Sequence, residues 1–317
     1  MTLTPRRGFA LLAVLWLTTG AAALGMVIAA LGREAIGTAY NRQRLSRAEW
    51  RAEDCLARVR AVLAAERNDD ARPSRNARSL PELLANAPLV MACPGTVQMQ
   101  PAGLRLDLNA LDAASLRRTF VHQRIDAAAA DSLTDAILDW RDADDDARPR
   151  GAEGAWYAEH ARKGPRNGPF AAVGELRLVR GFERTDARLG ALEDLFSVEP
   201  GRVLVPDAPD AVLTTLPGFT DEMLWVAARL REDANARQLN ELVDLTAELS
   251  PAGRAEIEHN YVALSRLATV RPDAWLLRIK AHGGILPADT TALAVELHVR
   301  LERAGSRLAV RHRYLTP

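Results

Sequence analysis

The sequence has no surplus of charge of either sign: its 317 residues include 41 basic and 41 acidic side chains. Proteins that bind nucleic acid usually carry an excess of basic residues that neutralises phosphates. The balance therefore argues against a nucleic-acid partner. Lysine is nearly absent, with only Lys163 and Lys280, so arginine supplies almost all of the positive charge.

The sequence also lacks the motifs of common enzyme classes. It contains no HExxH metalloprotease motif, no GxSxG nucleophile elbow and no glycine-rich phosphate loop followed by Lys-Ser/Thr. Its histidines are scattered and have no partner at a catalytic spacing; they are His122, His160, His259, His282, His298 and His312. No pattern indicates a carboxyl group of raised pKa near the acidic residues. We therefore expect no enzymatic activity.

Cysteine is scarce as well, with only Cys55 and Cys93. Outside the cytoplasm such a pair can form a disulfide, which here would close a loop of about 38 residues and contribute about 2–4 kcal/mol. The alternative is two separate reduced thiols in a core. The sequence favours the disulfide slightly and leaves both open.

The longest feature present is an apolar run from Phe9 to Gly32 without a charged residue. At 1.5 Å per residue, a helix of about 24 residues spans a hydrocarbon core of about 30 Å. Arg6 and Arg7 before it favour a cytoplasmic start. A signal peptide has a shorter apolar core, and although Ala21-Ala22-Ala23 imitates a cleavage site, the apolar run continues beyond it. A plain signal anchor and a cleaved signal peptide remain the alternatives.

The rest of the chain changes character along its length. Apolar residues at helical spacing predict that the first helix continues to about Arg67, before a polar loop at 68–74. Short apolar segments at 89–91, 97–99 and 104–108 predict strands, and Asp112 and Asp126 begin two amphipathic helices in a helical region that reaches about 264. Alternating segments from Trp275 onward predict an antiparallel meander.

The densest group of carboxylates lies in the loop from Asp139 to Tyr157. Asp142, Asp144 and Asp146 occupy every second position, and Glu153 follows beyond a Pro-Gly turn. Calcium takes 6–8 oxygen ligands and tolerates loose geometry, and repulsion among close carboxylates disfavours a compact loop without a cation. The spacing is not that of an EF-hand. By composition alone, a solvated loop balanced by Arg141, Arg148 and Arg150 is an equal alternative.

The amino terminus resembles type IV prepilin-like proteins, because Arg7-Gly8-Phe9 precedes the apolar run. The resemblance implies that a prepilin peptidase cuts between Gly8 and Phe9 and that Phe9 is methylated. Most members have Glu at the fifth mature position, where this chain has Ala13. The member of the type II secretion pseudopilins that lacks this Glu is the large minor pseudopilin K.

Two further motifs resemble the same family: Leu138-Asp139-Trp140-x-Asp142-x-Asp144 with Gly151-Ala152-Glu153, and the segment 167–181. The resemblance implies calcium binding in the helical region, with Asp142, Asp144 and Glu153 as the main ligands and Asp146 as a weaker one. Gly154 replaces the acidic residue that usually follows Gly-Ala-Glu.

The resemblance implies an α+β, pilin-like fold: a long amino-terminal membrane helix packs on a carboxyl-terminal antiparallel sheet and carries a large α-helical insertion. We expect a leader at 1–8, a membrane helix at 9–32, the pilin helix and first strands at 33–108, the helical insertion at 109–268 and the β-meander at 269–317. The insertion contains helix-hairpin-helix-like units, one around Leu216-Pro217-Gly218-Phe219, which we interpret as packing modules.

The implied function is that of a minor pseudopilin that caps the periplasmic pseudopilus and begins its assembly for protein export. The chain would cross the inner membrane once, with its bulk in the periplasm. Expected partners are minor pseudopilins I and J and other pseudopilins, the prepilin peptidase, and the secretin or exoprotein cargo. The alternatives are a membrane-anchored periplasmic hydrolase that uses the acidic loop and a DNA-uptake pilin.

Overall fold

The computed structural model describes residues 7–69, 84–182, 187–232, 241–285, 293–304 and 307–316. Its first element is helix α1 (Arg7–Asp69), which is 63 residues long. This is the one helix among the described residues that is long and apolar enough to cross a membrane, with a best mean hydropathy of 2.1. Its apolar side chains from Leu11 to Leu31 are exposed. It therefore fits a single-pass membrane anchor.

The carboxyl-terminal half of α1 packs on a four-stranded antiparallel sheet of order β1-β6-β7-β8. The strands are β1 (Gly95–Pro101), β6 (Ala274–His282), β7 (Ala294–Ala304) and β8 (Arg307–Thr316). The meander predicted from alternation is present, and β1 joins it along β6 from Gly95↔Ala281 to Pro101↔Trp275. The segment 89–91, predicted as a strand, is instead part of the short helix α2 (Pro88–Met91). Proline at the first helical position favours this helix start.

Small residues let α1 approach the sheet closely. Ala48, Ala52 and Val59 face the sheet and are fully buried. At the end of β6, a Cβ on Gly283 would lie 2.1 Å from the backbone oxygen of Arg44. Arg51 donates a hydrogen bond of 2.6 Å to the His282 carbonyl, which fastens the helix to the strand end. On the opposite face of β6, the side chains of Arg278 and Lys280 are exposed.

The helical region lies between β1 and β6 in the chain and has its own core. Its elements are β2 (Leu106–Asp107), α3 (Ala113–His122), α4 (Ala127–Arg141), α5 (Gly154–Glu159), a 3-10 helix (Val173–Leu178), α6 (Ala187–Leu195), β3 (Phe196–Ser197), β4 (Val203–Leu204), α7 (Asp210–Leu213), α8 (Asp221–Glu232), a 3-10 helix (Leu242–Glu248), α9 (Pro251–Leu267) and β5 (Ala268–Thr269). β2 pairs with β3 and β4 with β5, each in parallel. The long apolar helix, the antiparallel sheet and the helical region confirm the predicted fold class.

Two predicted caps begin α3 and α4. The Asp112 carboxylate accepts the Ser115 amide at 2.8 Å, and the Asp126 carboxylate accepts the amides of Ala128 and Ala129. Such caps satisfy amides that have no partner within the helix, and each is worth about 1 kcal/mol. The Asp126 cap begins α4, whose other end leads into the acidic loop.

The turn between α7 and α8 packs against α9. Gly218 has φ +73°, and a Cβ there would lie 3.0 Å from the Cβ of Asn260 and 3.1 Å from the carbonyl oxygen of Glu256. This close contact is what a packing module requires. The helix-hairpin-helix assignment itself stays a prediction.

Arg300 of β7 joins the sheet to the helical region and is only 5% exposed. Its guanidinium contacts Glu199 at 3.3 Å, Glu302 at 2.9 Å and the Pro200 carbonyl. A buried guanidinium needs such partners because an unpaired buried charge is costly. These contacts join β7 to the segment that precedes β4.

Candidate metal centre

The acidic loop begins where α4 ends, with Asp142 as the residue that terminates the helix. The last turn of α4 is buried, and it brings Asp139 and Trp140 into the core. Trp140 packs edge-on against Tyr157 of α5, at 5.6 Å between ring centroids, and stacks with Phe170 at 6.3 Å. The loop therefore lies over an aromatic cluster, with its first acidic residue held by the helix end.

Three of the predicted ligands come together. Asp142, Asp144 and Glu153 each offer one carboxylate oxygen, and these oxygens lie within 4.8 Å of one another. Asp144 is exposed, Asp142 is half-buried, and Glu153 is 4% exposed. The fourth predicted ligand, Asp146, lies outside this cluster, and its amide instead donates to the Asp144 carboxylate at 3.1 Å.

The buried oxygens of this cluster lack partners within the described part of the chain. Both carboxylate oxygens of Glu153 and Oδ1 of Asp142 are buried and accept no hydrogen bond. Buried polar atoms in native proteins are almost always satisfied, because an unpaired one costs about 1–3 kcal/mol or more when charged. Three unpaired carboxylate oxygens at one point fit a hard cation such as calcium, which takes oxygen ligands.

The electrostatics of Glu153 point the same way. Burial, as the largest cause, and the negative charges of the neighbouring aspartates together raise the pKa of Glu153 to about 7; these neighbours are Asp139, Asp142, Asp145 and Asp144. The ionised form is therefore disfavoured at neutral pH unless positive charge is supplied. The sequence contained no sign of such a raised pKa, because it arises from burial.

A raised carboxyl pKa also occurs in glycosidases, but the geometry here differs. A glycosidase uses two carboxyl groups that flank the glycosidic bond, whereas here oxygens of three carboxylates converge within 4.8 Å of one another. Two cavities among the described residues, of about 280 and 450 Å³, are lined by other residues. The arrangement suits a cation better than a sugar.

Arg148 and Asp139 support the cluster and were missed as site residues. The Asp139 side chain is fully buried and accepts Nη1 of Arg148 at 2.6 Å and its backbone amide at 3.2 Å. The same Nη1 contacts Oδ2 of Asp142 at 2.5 Å. From the sequence, Arg148 was merely one of three arginines that could balance the loop's charge.

Gly151 and Asn167 complete the loop. A Cβ on Gly151 would lie 1.9 Å from Oδ2 of Asp139, so only glycine fits there. The side-chain amide of Asn167 donates to Asp145 at 3.0 Å, and the Asn167 backbone amide donates to the Trp140 carbonyl. The second sequence motif thus packs beside the first.

The other predicted site residues lie far along the chain from this loop. A disulfide joins Cys55 of α1 to Cys93, with their Cα atoms 5.2 Å apart. The backbone of Gly8 and Phe9 belongs to the first turns of α1. Residues 1–6 of the predicted leader, and the predicted loop from residue 70 onward, lie outside the described residues.

Comparisons with known proteins agree with the resemblance. Residues 101–194, which include the acidic loop, match the family model described as Type II secretion system (T2SS), protein K. A chain in the crystal structure of the GspK-GspI-GspJ complex from the enterotoxigenic Escherichia coli type 2 secretion system has the same fold at 15% identity, with a TM-score of 0.57. The alignment covers 87% of this chain and 98% of that chain. No curated protein matches the sequence significantly. The family match and the shared fold together confirm the resemblance to the minor pseudopilin K family of type II secretion.

Proposed function

We propose that this protein caps the tip of the periplasmic pseudopilus and starts its assembly, so that folded proteins can be exported across the outer membrane. The observation that carries the proposal is the combination of an exposed apolar helix, the first half of α1, with a large globular part, the sheet and the helical region, which we call the head. The apolar side chains of α1 from Leu11 to Leu31 are exposed, whereas the helical region adds a second hydrophobic core beside the sheet.

A helical fibre of pilins buries its apolar rods side by side. A head enlarged by the helical region leaves less space for a further subunit above it. Ala13 adds to this argument, because a carboxylate at membrane depth is expensive unless it is paired. A subunit with no neighbour above has no partner for such a charge, and alanine is exposed at this position. Both features suit the end of a fibre.

The proposed partners follow from this position. The similar fold was found in a complex named for GspK, GspI and GspJ, which supports minor pseudopilins I and J as the subunits directly below. The exposed tip would be available to exoprotein cargo or to the secretin. The proposed orientation has a cytoplasmic amino terminus and a periplasmic head, as the arginines before the apolar run favour.

We further propose that the acidic cluster binds structural calcium through Asp142, Asp144 and Glu153. The unpaired buried oxygens support this assignment. The ion would tie the loop after α4 to the start of α5, and it would perform no chemistry. Asp146 would contribute only indirectly, through its amide contact with Asp144.

The tip position can be tested by labelling. Pseudopili assembled with a full-length, epitope-tagged chain are sheared and decorated with gold-conjugated antibody. We expect gold at one end of each fibre, whereas gold along the whole length would contradict the cap. Replacing Ala13→Glu should reduce the number of labelled fibres, because the new carboxylate has no partner at the tip.

Maturation is tested by mass analysis of the amino-terminal peptide. We expect a chain that begins with methylated Phe9, and we expect Gly8→Val to keep its leader. Gly20→Ala is the matched control: it lies in the same apolar run with nothing within 4 Å of the added Cβ, so it should mature normally. An unprocessed wild-type chain would reject the prepilin assignment.

A further inference from the structure

The cluster of carboxylates also contains the guanidinium group of Arg148, a positive charge that is not expected beside a metal ion. Arg148 Nη1 contacts Oδ1 of Asp139 at 2.6 Å and Oδ2 of Asp142 at 2.5 Å. A cation beside a calcium ligand repels a second cation, so Coulomb's law alone makes Arg148 unfavourable for metal binding. Its placement therefore needs a reason.

The reason lies in which oxygen Arg148 occupies. It engages Oδ2 of Asp142 and leaves Oδ1, which is buried and unpaired within the described residues. Glu153, 4% exposed, adds two more unpaired buried oxygens. A carboxylate that is held by one oxygen presents the other in a fixed direction, as the outer partners of metal ligands usually arrange.

Arg148 is itself held by a fully buried anchor. Asp139 accepts both the side chain and the backbone amide of Arg148. Gly151 packs against the other face of that carboxylate, where a Cβ would lie 1.9 Å from Oδ2. The series of contacts from Asp139 through Arg148 to Asp142 is therefore formed without an ion.

We propose that Arg148 is a positioning residue of the cation site: it orients Asp142 toward Glu153 and Asp144, and so strengthens calcium binding despite its own positive charge. This inference rests on the calcium site proposed above. The charge of Arg148 alone would weaken calcium binding, whereas its positioning role would strengthen it. The direction of the change in affinity when Arg148 is replaced therefore tests the proposal.

The test compares calcium affinities by titration calorimetry, using the full-length chain in detergent after removal of divalent ions. Arg148→Gln should weaken calcium binding by about 10–100-fold, the usual effect of losing an outer partner of a ligand. Arg148→Lys keeps the charge but ends short of the Nη1 position, and it should fall between the wild type and the Gln variant. Arg150→Gln is the matched control. It removes an equal charge two residues away, where the guanidinium pairs with Asp131, and its affinity should be unchanged or slightly higher.

A spectroscopic measurement separates positioning from general loosening of the fold. Terbium(III) replaces calcium, and its luminescence lifetimes in H₂O and D₂O report the number of coordinated waters. Terbium bound to the Arg148→Gln variant should coordinate about one more water than terbium bound to the wild type, because Asp142 no longer reaches the ion. Arg150→Gln should keep the wild-type number. Thermal unfolding of each variant, measured without metal ions, identifies any variant that fails to fold.

The outcomes separate the two proposals. If the wild type binds calcium and Arg148→Gln binds it equally well or more tightly, charge governs the site and the positioning role is wrong. If Arg148→Gln does not fold, Arg148→Lys decides, because wild-type affinity and hydration in that variant would overturn the role. If the wild type binds neither calcium nor terbium, the calcium site itself is wrong and the positioning role is rejected with it.

Discussion

Replacing Glu153→Gln should make the metal-free protein more stable at pH 8 while abolishing its response to calcium. Glutamine has the shape of the protonated carboxyl group, which is the form that burial favours at this position. Burial and neighbouring carboxylates raise the pKa of Glu153 from 4.5 to about 7. The wild type must ionise this group at pH 8 without a partner, and the variant does not have to.

The magnitude follows from linkage. A carboxyl group whose pKa is higher in the folded state contributes stability that is complete below the unfolded pKa and is lost as the pH rises through the folded pKa. The rise from 4.5 to about 7 corresponds to roughly 3 kcal/mol lost by pH 8. At about 2–4 °C per kcal/mol for a protein of roughly this size, the variant should melt roughly 6–12 °C higher in EGTA. At pH 5 most of this difference should disappear.

The assay is thermal unfolding of the full-length chain in detergent, followed by tryptophan fluorescence with EGTA or with calcium. Calcium at about 100 times its dissociation constant should stabilise the wild type by about 2.7 kcal/mol, and it should leave Glu153→Gln unchanged. Glu159→Gln is the control, since this exposed carboxylate lies six residues away and should change stability by less than about 0.5 kcal/mol. A Glu153→Gln protein that melts lower than the wild type in EGTA at pH 8 would refute the reasoning.

Three further predictions concern the pH dependence of calcium binding, the disulfide and the packing of Gly151. Calcium needs the ionised form of Glu153, whose pKa lies at about 7, so calorimetry should find binding about tenfold weaker at pH 6 than at pH 8; equal affinities would contradict this. Cys93→Ser opens a loop of 38 residues and should lower the stability by about 2–4 kcal/mol, which a reductant should reproduce in the wild type; an unchanged melting temperature would argue against the disulfide. Gly151→Ala places a Cβ 1.9 Å from Oδ2 of Asp139 and should destabilise the protein by about 1–3 kcal/mol, whereas Gly154→Ala, with nothing within 4 Å, should not; equal melting of the two variants would contradict the packing.

The elements that the sequence predicted well are those in which one pattern repeats over many residues. The apolar run and the amphipathic stretch after it form one helix to Asp69. In the amphipathic stretch, apolar residues recur at helical spacing over several turns, which makes the prediction reliable. The three strands of the meander alternate over nine to eleven residues. Part of the helix at Pro88–Met91 was predicted as a strand. A run of four apolar residues is too short to show a periodicity that distinguishes a helix from a strand.

Pairings between distant segments could not be predicted from any local pattern. β1 lies beside β6, although Gly95 and Ala281 are far apart in the chain. The clamp of Arg300 on Glu199 and Pro200 also depends on the tertiary fold, since neither partner is near it in sequence. Local propensity contains no information about such contacts, because they join residues that are far apart in the sequence.

The proposed metal centre shows most clearly which features of a site its sequence predicts and which it does not. Alternation made Asp142, Asp144 and Asp146 look equivalent, but the loop is a turn in which the amide of Asp146 binds Asp144. A turn of this kind uses one carboxylate to fix the backbone, and it moves Asp146 out of the cluster.

Glu153, by contrast, is distinguished from the other carboxylates by burial, which follows from its position at the start of α5. The next helical turn places Tyr157 against Trp140 in the core, and this packing draws the Glu153 carboxylate out of water. Burial leaves its oxygens without partners, and an unpaired buried carboxylate must be protonated or must bind a cation. The density of negative charge marks the loop, but the packing of two aromatic rings is what buries Glu153, the carboxylate that we propose as a calcium ligand.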